Sequence, residues 1–324
     1  MLFITNRAIN ESLKLGIGRK ITFDRTNNQS GQSIYFCRRN GSNDYTEIGS
    51  TNLLDELRNS QAEQILIYIH GFNNQPEEDI FSRTQTLQGL FNGNKNNLVL
   101  VLPIIWPCND NFGIIRDYYY DEDSADASGF AFSRLLDKFI AWQNKNSEDA
   151  IPNCLKRINV LTHSMGSRVL RSTLERWGKY NRSGEVPLLF RNTFLIAADI
   201  ANNALERSEN GKYICQSSRN VTVYFAADDL ALRASKVANS GNITNRITSR
   251  RLGHSGPQDP DLLPRNVYMV DCDEINNVYD TKGHSYFLND EAGQPGLVFQ
   301  HILKSLETGR VDVDDQVTRM KILK

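Results

Sequence analysis

The sequence predicts an α/β fold with a mostly parallel central sheet of about eight strands and helices on both faces. Short runs rich in β-branched and aromatic residues alternate with stretches of helical periodicity along most of the chain, the pattern of successive βα units. Most of the strand-like runs are continuously apolar rather than alternating, as strands covered on both faces are. The length of 324 residues permits one core, because a chain of about 300 residues buries around 75% of the surface it exposes when unfolded.

In chain order the expected strands are Leu2 to Thr5, Ile34 to Arg38, Ile65 to His70, Leu98 to Ile105, Ile158 to Thr162, Thr193 to Ala197, Val221 to Ala226 and Asn266 to Asp271. The expected helices are Glu78 to Phe91, Ser124 to Trp142, Met165 to Trp177, Asn202 to Cys215, Ala231 to Ala238 and Gly296 to Leu306. In the second helix Phe132, Leu135, Leu136, Phe139 and Ile140 recur at helical spacing and read as a core-facing stripe. Trp106 to Asp123 and Ser240 to Arg265 show no such period and read as long loops, which in compact domains tend to serve function. Ligands of open α/β sheets bind outside the carboxyl ends of the strands, so both loops are expected walls of a site. No repeat and no Pro-, Gly- or Ser-rich linker divides the chain, so residues 1–324 read as a single domain.

Composition excludes several classes of partner. Thirty-seven Lys plus Arg against 38 Asp plus Glu leave a formal charge of -1, with no broad electrostatic footprint for nucleic acid or anionic lipid. The longest apolar run, Leu98 to Trp106, falls short of the roughly 18 residues of a membrane span, so no stable membrane insertion is expected. The start, MLFITNRAINESLK, turns polar at Thr5, too early for a signal-peptide centre, and a cytoplasmic location is expected. Cys37, Cys108, Cys154, Cys215 and Cys272 are odd in number and scattered, which reads as buried thiols in a reducing compartment rather than a metal site. Gly16-Ile17-Gly18 stands outside any strand-to-helix turn and reads as a turn. No cofactor is implied. Asp271 to Glu274 reads as a solvated strand end, and Arg246, Arg250 and Arg251 as solvated loop charge.

The informative segment is RINVLTHSMGSRVLR, residues 157–171. A β run ends at Thr162 and a helical pattern begins at Met165, which sets Ser164 at a strand-to-helix turn with Thr162 two residues before it and Gly166 two after. A serine at the tip of so tight a turn brings those flanking positions together, so they must be small. The helix that follows aims its positive end at the place where an oxyanion would form. The bland alternative makes Ser164 a helix N-cap.

A second segment favours the nucleophile. QILIYIHGFNN runs from a buried strand into His70-Gly71-Phe72, where hydrolases of this class place an oxyanion loop. The two amide donors are therefore expected at Phe72 and Met165, with His70 and His163 orienting their loops. A serine nucleophile needs a base and an orienting acid, arranged in this fold in the order Ser, Asp or Glu, His. Of the later histidines, His301 lies on the face of the last helix and His254 in the glycine-rich RLGHSGP. His284 follows the last expected strand and precedes the last helix, and is the expected base. For the acid, Val221 to Leu230 ends its strand in Asp228-Asp229, and Asp199 ends the strand before it. Asp229 is preferred, with Asp228 capping the next helix and Asp199 the competitor. Trp106, Phe112 and Tyr118, in an aromatic loop, are candidates to line the substrate pocket, with simple packing of that loop onto the body the equal alternative.

These segments add up to a resemblance. LFITNR, LIYIHGFNN, DSADASGFAFSRLL, LTHSMGSRVL, AADDLALRAS, RLGHSGP and GHSYF resemble, in order, the bacterial α/β-hydrolases of unknown function of the DUF900 type, over roughly residues 1 to 305. The resemblance implies an α/β-hydrolase fold and a Ser-Asp-His triad on Ser164, Asp229 and His284. In that family the acid precedes an Ala-Leu-like stretch, which Asp229-Leu230-Ala231-Leu232 reproduces, selecting Asp229 over Asp228. Thr162 and Asp228 depart from the family pattern.

The expected function is cleavage of a carboxylic ester through an acyl-enzyme on Ser164. An acyltransferase using the same acyl-enzyme, a lipase or phospholipase, and a non-catalytic interaction protein of hydrolase fold are the alternatives. A small or medium acyl ester is the expected substrate, because Asp199 to Asn220 leaves no room for a large apolar lid between two successive strands.

Overall fold

The computed structural model describes residues 1–11, 14, 16–108, 114–148, 156–181, 184–232, 250–290 and 292–324. They gather into two compact units, Met1–Asn159 with Ser172–Gly184, and Val160–Arg171 with Glu185–Lys324.

The first unit holds β1 (Leu2–Thr5), β2 (Lys20–Ile21), β3 (Tyr35–Gly41), β4 (Asp44–Glu47), α1 (Ser50–Asn59), β5 (Gln64–Ile69), α2 (Ser82–Asn94), β6 (Val99–Ile105) and α3 (Ile114–Glu148). Its strand order is β5-β6-β1-β3-β4-β2. β5 and β6 pair in parallel from Gln64↔Val99 to Ile69↔Ile104, and β1 joins β6 in parallel with Thr5 opposite Ile105. β3, β4 and β2 continue as an antiparallel wing. Ile65, Leu66, Tyr68 and Ile69 are all buried, as both faces of a covered parallel strand must be. Helix α1 buries Leu53, Leu54 and Leu57, one face at helical spacing.

Strand β7 (Arg157–His163) starts in the first unit and ends in the second. The second unit adds α4 (Gly166–Arg176), whose last turns belong to the first, then β8 (Phe190–Ile196), α5 (Lys212–Ser217), β9 (Ser218–Phe225), α6 (Leu252–Ser255), β10 (Val267–Asp271), α7 (Asn276–Tyr279), α8 (Leu297–Thr308) and β11 (Met320–Ile322). Its strands lie in the order β7-β8-β9-β10-β11, parallel from β8 to β11. No described helix is long and apolar enough to cross a membrane.

All eight expected strands are present within a few residues, and β2, β4 and β11 bring the described strands to eleven. Two expectations are corrected, and a third can be followed only in part. The supposed loop from Trp106 to Asp123 is helical from Ile114 onward. Its buried positions Asp117, Tyr118, Asp121, Glu122 and Ala125 do recur at helical spacing, but three of the five are acidic, which hides the period from a hydrophobicity reading. The supposed helix from Asn202 to Cys215 is instead a run of single turns, bonded Ala204 to Ala201, Glu206 to Asn203 and Glu209 to Glu206, with α5 only at its end. The expected helix Ala231 to Ala238 and the first part of the loop Ser240 to Arg265 lie largely outside the described residues, although α6 interrupts that loop.

Candidate active site

Strand β7 delivers Ser164 into the turn with φ of 51°. A left-handed backbone costs a residue other than glycine on the order of 1–3 kcal/mol, so its surroundings must hold it. They do so through both backbone groups. The Ser164 N–H donates to the Ile196 carbonyl at 2.9 Å, and its carbonyl accepts from the Asp199 N–H at 3.1 Å and the Ser167 N–H at 3.1 Å. Thr162, where glycine is usual, is fully buried, and its hydroxyl lies 2.7 Å from that of Ser167. A β-branched residue is therefore accommodated because its one polar atom is satisfied locally. Helix α4 begins at Gly166, so its positive end and the buried Met165 sit next to the serine.

Two strands further on, β9 ends and leads into Asp229, which is completely buried. One carboxylate oxygen accepts the Leu232 N–H at 3.0 Å and the other lies 2.7 Å from His284 Nδ1. An ionised carboxylate only accepts, so Nδ1 carries the proton and Nε2 is left as the basic nitrogen. The His284 ring stands 4.7 Å from that of His163, the residue before Ser164. His163 Nε2–H also donates to the His284 carbonyl at 3.1 Å. The histidine loop has a further anchor in Asp280, whose Oδ2 accepts the N–H groups of both His284 and Ser285 at 2.8 Å. Burial pushes the Asp280 carboxyl up, but the amides of Ser285, His284 and Lys282 outweigh it and hold the group below its ordinary value.

The competing residues are engaged elsewhere. Asp228 accepts from the side-chain amides of Asn276 and Asn277. Asp199 faces Arg251, whose Nε lies 3.0 Å from Oδ1, the aspartate buried and the arginine partly so. The reading of Arg251 as solvated charge is corrected: α6 starts beside it, with Leu252 N–H on the Ile200 carbonyl and Gly253 N–H on that of Ala198. Arg250 is exposed, and Arg246 lies outside the described residues. His301 is packed as expected, with Nε2–H donating to the Asp312 carbonyl and Nδ1 accepting from the Tyr224 hydroxyl, each at 2.8 Å. Burial pushes its pKa down. Among the described residues no three His, Cys, Asp or Glu side chains gather as a metal site.

In the first unit, Phe72 follows β5 and its carbonyl accepts from Asn74 Nδ2 at 2.9 Å. Its ring meets the buried Tyr118 edge-on at 5.8 Å. Trp106 is fully buried. Its ring stacks on His70 at 5.2 Å, its indole N–H donates to the His70 carbonyl at 2.9 Å, and its backbone N–H donates to His70 Nε2 at 3.1 Å. Of the two readings open for it, Trp106 thus follows the packing one. Phe112 lies outside the described residues. Asn276, Asp280 and the Asp199–Arg251 pair were not expected from the sequence. The signal available was Asn276-Asn277 and Asp280 shortly before His284, polar residues that turn chemistry alone also explains.

A largely parallel sheet with a serine held at a strand-to-helix turn defines an α/β-hydrolase fold. Residues 46–302 match the alpha/beta hydrolases of unknown function designated DUF900, and the chain belongs to that family. Among solved structures, the chain is similar to esterase PE8 at 11% identity and a TM-score of 0.35, over 68% of this chain and 88% of that one. It is similar to the Pyrococcus furiosus esterase Pf2001 at 12% identity and a TM-score of 0.29, over 67% and 77% of the two chains. For Est1E from Butyrivibrio proteoclasticus the figures are 11%, 0.29, 67% and 81%. No curated protein matches the chain.

Proposed function

We propose that this protein is a serine hydrolase that cleaves a carboxylic ester through an acyl-enzyme on Ser164. The observation that carries the reading is the 2.7 Å hydrogen bond between the buried Asp229 and His284 Nδ1, on a ring packed against the neighbour of a serine at φ 51°. In this reading Ser164 Oγ attacks the carbonyl carbon while His284 Nε2 takes its proton. The tetrahedral oxyanion receives the Met165 N–H at the start of α4, and the sequence pattern assigns the second donor to the Phe72 amide. Collapse expels the alcohol, which takes the proton back from His284. Water then repeats the two proton transfers and releases the acid. The scattered thiols, buried at Cys37, Cys108, Cys215 and Cys272, favour a reducing compartment, and we place the protein in the cytoplasm.

The test is labelling with a fluorophosphonate, followed by identification of the modified residue. Ser164 is the expected site, and Ser164→Ala is expected to abolish labelling and to lower esterase activity on the order of a millionfold. Equal labelling of that variant would remove Ser164 from the role.

A further inference from the structure

The residues immediately before the acid and the base of the proposed pair are held by one side chain. Asn276 is completely buried at the start of α7. Its Nδ2 donates to Oδ1 of Asp228, the neighbour of Asp229, at 2.5 Å, and to the carbonyl of Gly283, the neighbour of His284, at 3.2 Å. We infer that Asn276 is a positioning residue that sets the geometry of the Asp229–His284 pair by tying the two loops that carry it. The inference rests on the ester-hydrolase reading of that pair.

The chemistry explains why the position holds asparagine. A carboxylate and a carbonyl only accept, so whatever joins them must present two donors on one atom within a short reach. The amide NH2 does so. Aspartate offers no donor, serine one, and lysine places its donors two atoms further out. The amide orientation follows from the same rule, since the reversed amide would set Oδ1 against two acceptors. Gly283 permits the approach: its φ is 63°, and a Cβ there would lie 2.5 Å from Asn276 Nδ2. Backbone bonds fix the side chain's own base, with the Asn276 N–H on the Cys272 carbonyl at 2.9 Å. Asn276 touches neither reacting atom. Its effect on rate runs through the placement of His284, where an error of about 1 Å can cost on the order of a hundredfold.

The experiment measures fluorophosphonate inactivation of the full chain, resolved into reversible affinity and the maximal inactivation rate, with the low-field resonance of the His284 Nδ1 proton as a second readout. Asn276→Ala is expected to lower the maximal rate ten- to a hundredfold with affinity unchanged, and to broaden or abolish the resonance. Asn276→Asp, equal in size, is expected to be at least as slow. Adding Asp228→Asn to it restores a donor and acceptor across that contact and is expected to recover part of the rate. An Asn276→Ala rate within twofold of wild type overturns the inference. So does an Asn276→Asp variant that reacts like wild type, because the position would then need volume alone. Absence of labelling in the wild-type protein would instead remove the underlying reading of Ser164.

Discussion

The carboxylate of Asp199 meets the guanidinium of Arg251 at 3.0 Å, in a pair whose side chains are 2% and 10% exposed. This pair separates two aspartates that each end a strand near the elbow. Asp199 serves charge balance and the backbone of Ser164, whereas Asp229 faces the imidazole. Asp229→Asn is therefore expected to keep the melting temperature and lose about four orders of magnitude in kcat, because the amide no longer selects the Nδ1–H tautomer. Asp199→Asn is expected to cost about 1–3 kcal/mol of stability, since it takes the counter-charge from a partly buried arginine, and to retain most activity at low temperature. Melting curves and kcat for both variants check this. The reverse pattern would move the acid to Asp199.

The first unit carries its own pH sensitivity at His70. Burial pushes its pKa down to about 3, and the hydrogen bonds give the reason. Nε2 accepts the Trp106 N–H and Nδ1–H donates to the Gly71 carbonyl at 2.8 Å, so a second ring proton would meet another donor. The folded value lies below the unfolded value of about 6.5, and the unfolded chain takes up the proton first as pH falls. The stabilisation is thus complete above about pH 6.5 and is lost between there and about 3, on the order of 5 kcal/mol in all. Denaturant midpoints at pH 7 and 4.5 are expected to show His70→Asn less acid-sensitive than wild type by about 2–3 kcal/mol. Equal sensitivity would show that the histidine does not titrate on unfolding.

The fold was legible wherever burial is apolar. The eight buried runs were found because Val, Ile, Leu and Phe mark them directly, while β2, with two residues, and β11, with three, are too short to carry a period. The first turns of helix α3, before the expected start at Ser124, were hidden by Asp117, Asp121 and Glu122 on its buried face. At the candidate site, fold order and the family resemblance pointed to Ser164, Asp229 and His284, and the structure brings the last two together at 2.7 Å. The supports were not readable. Asn276, Asp280 and Arg251 act through contacts between segments distant in sequence, and as residue types they are equally at home in any solvated turn.

The crossover from β8 to β9 bears on substrate size. Many lipases insert a cap there, but residues 197–217 fold here as tight turns followed by α5. With no cap at that crossover to bury a long chain, kcat/KM on nitrophenyl esters is expected to rise by about 0.8 kcal/mol per buried methylene and then level off at medium length. A series from acetyl to palmitoyl checks this. A continued rise to palmitoyl with a jump above the micelle concentration would point to a lipase.

Gly253 is the place where a single methyl group should disturb the elbow from a distance. A Cβ there would lie 2.1 Å from the Ala197 carbonyl carbon and 2.2 Å from the Ala198 nitrogen, both backbone atoms that no rotamer can move aside. The glycine cannot simply retreat, because its N–H is bonded to the Ala198 carbonyl at 2.9 Å and its carbonyl to the Ala226 N–H at 3.0 Å. The strain must pass into residues 197–199, where Ala197 already has φ of 46° and the Asp199 N–H holds the Ser164 carbonyl. Gly253→Ala is expected to lose at least 1–3 kcal/mol, the usual cost of overpacking, and to slow fluorophosphonate labelling of Ser164 at temperatures where the protein remains folded. Gly89→Ala is the control, since a Cβ at that position in α2 meets nothing within 4 Å. There the better helix propensity of alanine should stabilise by about 0.5–1 kcal/mol with labelling unchanged. If Gly253→Ala labels at the wild-type rate despite a lowered melting temperature, the elbow is held independently of α6.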